Sequence, residues 1–141
     1  MNTVREVAVV LLISVIASVG AGLGFAFTMQ FPPTSFVWES LTSFSLLALA
    51  GIAPTSLIWY ARRRYAPYRY LEGVLWGVVG LVFSVTIFIA FRSPQVAWSM
   101  TVFFNVFPIA LALSVPVLLT VAPLTVYFWH RAIRAMELRE T

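Results

Sequence analysis

Ala-Arg-Arg-Arg-Tyr-Ala-Pro-Tyr-Arg-Tyr, residues 61–70, is the longest strongly polar interval between the termini of this 141-residue chain. It holds four of the nine arginines and divides an otherwise apolar sequence into two halves. Arginines clustered beside apolar spans mark a cytoplasmic loop, because basic segments are retained on the inner side of a membrane. The interval therefore predicts one helical hairpin before it and one after it.

The composition agrees with that division. Hydrophobic residues make up 61% of the chain and charged residues 10%, with a mean hydropathy of +0.94. Soluble domains carry about a quarter charged residues, so the expected solvent is lipid. Crossing a hydrocarbon core of ~30 Å takes roughly 20 helical residues. Spans of that length consume nearly the whole chain, and the expectation is a single all-α membrane domain over residues 1–141 with no soluble domain. The net charge of +4 does not point to nucleic acid, because the arginines lie at span ends, where anionic headgroups attract them. Membrane lipid is the expected partner. The absence of Cys removes disulfides, thiolate metal sites and cysteine nucleophiles.

Outward from the basic interval, the apolar stretches predict spans at about 7–29, 36–60, 71–91 and 100–129. A secretory signal is the competing reading of the first, since Arg5 precedes it and Val19-Gly20-Ala21 resembles a small-residue cleavage site. Its apolar run exceeds the roughly 7–15 residues of a signal core, which favours a retained span. Pro32-Pro33 predicts a tight outer turn, with Thr34 or Ser35 capping the second span. Trp38 at one end of that span, and Trp59 and Tyr60 at the other, are read as interfacial aromatics. Ser93-Pro94-Gln95 and Trp98 form the second outer loop. Met100 to Trp129 overshoots the hydrocarbon core, so tilt, kinking or protrusion must absorb the excess. His130 to Thr141 is expected to extend as helix, laying Ala132, Ile133 and Met136 along the membrane surface.

Four spans place both termini and the basic interval on one side, together with Arg5, Arg62, Arg63, Arg64, Arg69, Arg131, Arg134 and Arg139; only Arg92 falls on the other. This bias predicts an N-in, C-in protein of the plasma membrane. Ile52-Ala53-Pro54 with Trp59, Tyr60 and Arg62 is matched at a constant offset of 69 by Val121-Ala122-Pro123 with Phe128, Trp129 and Arg131. The match raises two tandem hairpins as a reading, against the ordinary habit of spans to end in aromatic residues and arginine.

Two patterns bear on function. Gly73, Gly77, Gly80 and Ser84 step by four, three and four, lining one narrow stripe of the third span; Ser14, Ser18 and Ala21 step likewise on the first, and Ala48, Gly51 and Thr55 on the second. Small residues in such stripes let helix backbones approach closely in lipid. They predict helix packing, within the chain or between subunits. On the fourth span Asn105, Pro108, Pro116 and Pro123 project within about 80° of one another on an ideal helix. Each proline frees the carbonyl four residues earlier, those of Phe104, Ala112 and Leu119. Irregular backbone of this kind lines transport paths, with Glu39 near the outer mouth. The plainer alternatives are that Ser or Thr side chains re-satisfy the carbonyls, that Asn105 joins two helices, and that Glu39 favours its helix N-terminus.

Catalytic chemistry finds little support. Without Asp or Cys, and with His130 as the only histidine, neither a Ser-His-Asp set nor a bis-histidine haem site can be assembled within the chain. No phosphate-cradling or dinucleotide motif is present. His130 reads as an interfacial residue, and Glu6 and Glu72 as members of an ion-pair network with the inner arginines. No cofactor and no metal are expected. The sequence thus predicts a non-catalytic membrane subunit that assembles as a homo-oligomer or within a larger membrane complex; the rival is a small oligomeric transporter or channel built on the fourth-span stripe.

Overall fold

The computed structural model describes residues 3–29, 38–62, 68–92 and 100–141. They form four helices and no strand among the described residues: α1 (Thr3–Met29), α2 (Trp38–Arg62), α3 (Tyr70–Arg92) and α4 (Met100–Glu140). All four are long and apolar enough to cross a membrane. Helix is the structure such segments must adopt there, since lipid offers backbone amides no partner outside their own segment. The expected Pro32-Pro33 turn, the Thr34 or Ser35 cap, Arg63, Arg64 and the Ser93-Pro94-Gln95 loop with Trp98 lie outside the described residues. So do the side chains of Trp38, Glu39 and Arg92.

The helices form a square. α1 meets α2 and α4, α3 meets α2 and α4, and the diagonal pairs stay apart along their backbones. The direction alternates along the chain. Residues from the first part of α1 (Val10), the end of α2 (Trp59) and the later part of α4 (Val126, Trp129, Ile133) share one core cluster, joined by Tyr68, just before α3, and Trp76, in its first half. At the opposite end Phe25 stacks near Phe44, with centroids 6.1 Å apart, and Ile89 packs with Val102, Phe103 and Val106.

Much of the outer surface is apolar. Leu12, Ile16, Leu75, Phe91, Phe104 and Ile109 are each at least 60% exposed. In water such a surface would drive aggregation; in lipid it is the expected exterior. Length, composition and surface together make this a small multi-pass membrane protein. All described arginine side chains, those of Arg5, Arg62, Arg69, Arg131, Arg134 and Arg139, are exposed, and the alternation of the helices gathers them toward one end of the bundle.

The C-terminal end of α4 extends as helix, as expected, but not along a membrane surface. The helix continues without interruption through Glu140, so its 41 residues extend about 60 Å at 1.5 Å per residue. Ile133, instead of lying along a membrane surface, is 4% exposed and packs with Val10, Trp59 and Trp129, with Met136 against the same cluster. Burial against α1 wins because α1 begins at Thr3, early enough to cover this additional turn of α4. Trp59 also departs from its expected interfacial place: it is 2% exposed. The offset of 69 aligns Trp59 with Phe128, yet Phe128 is 51% exposed, and it is Trp129 that meets Trp59 across the bundle, with ring centroids 5.1 Å apart.

Candidate functional site

α3 is the helix on which the packing turns. A methyl group on Gly73 would overlap the backbone of Pro123, and one on Gly77 would come within 2.5 Å of Ala122 Cβ and 2.9 Å of Leu118 Cδ2. These two glycines therefore set the approach of α4. Gly80 and Ser84, the next members of the stripe, face α2: the Ser84 hydroxyl donates to the Leu47 carbonyl at 3.0 Å, and a methyl on Gly51 would overlap the Gly80 carbonyl oxygen. One small-residue stripe thus serves two neighbours. Both are within the chain.

On α1, Ser14 and Ser18 are 0% and 2% exposed. Their hydroxyls donate to Val10 and Val15 carbonyls at 2.8 and 2.6 Å, which removes the cost of burying an unpaired polar group. Thr55, Ser56 and Thr125 likewise donate to carbonyls of their own helices. These five hydroxyls are therefore small, self-satisfied spacers, whereas Ser45 Oγ on α2 is buried without a hydrogen-bond partner and Ser84 reaches across to another helix.

The predicted α4 stripe is divided by the structure. Asn105, Pro108 and Pro116 are exposed on the outer surface, whereas Pro123 is buried. An ideal projection puts the four on one face, but it leaves out α3. Gly73 lets α3 close over Pro123, and two tyrosines cover it further: Tyr68, just before α3, and Tyr70, its first residue. Tyr68 Oη donates to the Pro123 carbonyl at 2.9 Å. Tyr70 Oη donates to the Leu119 carbonyl, the acceptor that Pro123 deprives of its amide. The Ser and Thr hydroxyls of α4 do not perform this repair: Ser114, Thr120 and Thr125 donate to the carbonyls of Ala110, Pro116 and Val121. Sequence reasoning missed both tyrosines. The signal was available, since Tyr70 opens α3 at the same end of the bundle that Pro123 approaches on α4.

The basic end carries a polar cluster. Glu6 is 3% exposed, and Tyr60 Oη donates to its Oε2 at 2.6 Å. His130 Nε2 lies 3.5 Å from Glu72 Oε1, and its ring sits edge-on to Trp59 with centroids 5.1 Å apart. Glu72 thus faces the histidine, where the sequence had suggested arginine. Burial, and after it the charges of Tyr70 and Glu72, raise the pKa of Tyr68 above its usual 10.0, keeping the phenol protonated as a donor. No three His, Cys, Asp or Glu side chains that could hold a metal ion converge among the described residues.

Among the described residues, two cavities lie between the helices. The narrower, of about 70 Å³, runs between Trp129 at the basic end and Ser84 and Ser114 near mid-helix, bordered by Gly77 and Gly80. The wider, of about 270 Å³, lies nearer the opposite end between Phe25, Phe44, Phe88 and Ile109. They share Phe25, Ala48, Leu81 and Ser84. Both linings are almost wholly apolar, and neither includes Asn105, Pro108 or Pro116. Comparison with protein families, with curated proteins and with solved structures gives no match to this chain.

Proposed function

We propose that this protein is a non-catalytic packing subunit of a membrane complex, assembled from copies of itself or with a larger partner, and held in the plasma membrane with both termini and the basic loop in the cytoplasm. The observation that carries the reading is Asn105. Its amide stands on the exposed face of α4, next to Phe104, which is 63% exposed. An amide has both donors and acceptors, and in hydrocarbon it gains by bonding across helices. The small-residue faces, by contrast, are occupied inside the chain by Pro123, Ala122 and Gly51. Association then falls to the outward face of α4. The eight arginines in the N-terminal segment, the basic interval and the C-terminal segment of the sequence support the cytoplasmic orientation.

Transport is the weaker reading because a path lined by Asn105, Pro108 and Pro116 would run between subunits, not along the axis of one chain. The test uses the absence of native cysteine. In native membranes, Thr101→Cys, one turn before an intact Asn105 on the exposed face of α4, should crosslink to a second copy or to a partner chain on oxidation or with a short bifunctional reagent. Leu12→Cys, on the outer face of α1, should not. A chain that remains uncrosslinked from position 101 and purifies as a lone monomer in gentle detergent would remove the subunit reading.

A further inference from the structure

The wider cavity has a lining that specifies its ligand. It is formed by all four helices, and apart from Ser84 every lining side chain is apolar. The Ser84 hydroxyl is already engaged with the Leu47 carbonyl at 3.0 Å. Water needs two to four polar partners to reside in such a space, and apolar cavities stay dry. A charged or strongly hydrogen-bonding solute would lose its hydration with nothing in return.

The cavity also has an origin in the packing. Beyond mid-bundle, α4 is held by α3, with Val102, Phe103, Val106 and Phe107 set against Leu81, Val85 and Ile89. The approaches of α1 to α4 at Gly20 to Val121 and Gly24 to Val117 lie on the basic side of it. The space between this part of α4 and the α1–α2 pair is the cavity. It reaches the exterior, because its lining residues Ile109 and Phe88 are 64% and 37% exposed. Phe88 stands about 6 Å, Phe44 about 9 Å and Ile109 about 14 Å along their helices from the end opposite the arginine-rich one, at 1.5 Å per residue. That depth lies within one leaflet.

From this geometry we infer that the cavity is a binding site for one acyl chain of a bilayer phospholipid, taken from the leaflet opposite the arginine-rich end. The site is a fluid-side cleft continuous with the lipid-facing surface, without hydrogen-bonding demand and with aromatic walls at Phe25, Phe44 and Phe88. It goes beyond the subunit reading and depends only on the chain spanning a membrane.

The full-length protein, reconstituted in phosphatidylcholine vesicles containing a phospholipid with a photoactivatable diazirine on one acyl chain, provides the test. After illumination the labelled residues are mapped by peptide mass spectrometry. A chain inside a cleft is contacted over most of its surface, roughly 70–90%, against one side for a chain lying on an open helix face. Labelling of Phe44, Val106 and Leu113 should therefore exceed that of the lipid-facing Leu12 and Leu75 by about two-fold or more. Ala110→Phe, which fills the cavity from α4, should bring the cleft residues down to the level of Leu12 and Leu75 while those two remain unchanged. Should Ala110→Phe fail to fold, Leu113→Phe fills the same space and must give the same loss. Uniform labelling, or cleft labelling insensitive to the filling variant, overturns the inference. Crosslinking of the cleft residues to a second copy of the chain also overturns it, since a protein helix would then fill the space. The Thr101→Cys result is independent of each of these outcomes.

Discussion

Gly51 and Gly80 face each other where α2 crosses α3, yet the same substitution should act on them in opposite directions. A methyl on Gly51 would overlap the Gly80 carbonyl oxygen and the Ser84 hydroxyl, whereas a methyl on Gly80 would meet Thr55 Oγ1 at 3.5 Å and the Gly51 carbonyl oxygen at 3.7 Å, ordinary contact distances. Overpacking against backbone costs about 1–3 kcal/mol, and disturbing the Ser84 bond to Leu47 adds about 0.6 kcal/mol, typical of interhelical bonds in lipid. Removing a helical glycine returns roughly 0.5–1 kcal/mol in either case. Gly51→Ala should therefore lose about 0.6–3 kcal/mol and Gly80→Ala should gain up to about 1 kcal/mol. Reversible unfolding by sodium dodecyl sulfate in mixed micelles measures both, with the buried Trp59 and Trp129 pair as fluorescent reporter. If Gly80→Ala proves the less stable of the two, or Gly51→Ala matches the parent, the assigned crossing of α2 and α3 is wrong.

Tyr70→Phe should destabilise the bundle by about 1 kcal/mol, the low end for an acceptor left unpaired, and Pro123→Ala should rescue it by returning an amide to the Leu119 carbonyl; a double-mutant cycle with no coupling would refute the pairing. Gly77→Leu should cost more than Gly51→Ala, since even its Cβ would come within 2.5 Å of Ala122 Cβ, and unchanged thermal stability would place that face toward lipid. Raising the folded-state pKa of Tyr68 means that its bond to Pro123 contributes fully below pH 10 and is lost as pH rises through the folded value; Tyr68→Phe should abolish that alkaline loss in a pH series of unfolding midpoints. Reporters fused at Met1, within residues 63–67 and at Thr141 should all register the cytoplasm, and an external C-terminus would refute the orientation.

How much of this could be read beforehand varies with the kind of information each feature needs. Span number and position follow from long apolar runs separated by arginine and proline, a property of each segment alone, and α3 at Tyr70–Arg92 lies within a residue of its expected bounds. The Gly73 to Ser84 stripe was also visible, because a four-three-four spacing fixes one helix face. Its division between two neighbours was not, since periodicity gives a direction on one helix and says nothing of the helices beside it. The same limit explains Pro123, which shares an ideal face with Asn105 but is covered by α3 through the missing Cβ of Gly73. Trp59 and Ile133 were placed at an interface on the general habit of aromatic and terminal residues. Their burial depends on the length of α1, and α1 is matched to α4 only in three dimensions.

The two ends of the bundle are built on different principles, and that difference bears on where the protein can respond to its surroundings. At the basic end Val10, Val126 and Trp129 are each at most 2% exposed, and side-chain bonds tie helices together, Tyr60 to Glu6 and Tyr68 to Pro123. Separating those helices would expose aromatic surface and break bonds to backbone together, so they move as a unit. Toward the other end the contacts between α1 and α4 give way to a cavity of about 270 Å³, bounded by apolar side chains that can change rotamer without breaking a hydrogen bond. Ser84 stands at the transition, bordering both cavities and bonded to α2 through Leu47. A lipid chain or a neighbouring subunit acting on Ile109 or Asn105 therefore meets the yielding half of α4, while Pro123, gripped by Gly73 and the two tyrosines, holds the other half in place.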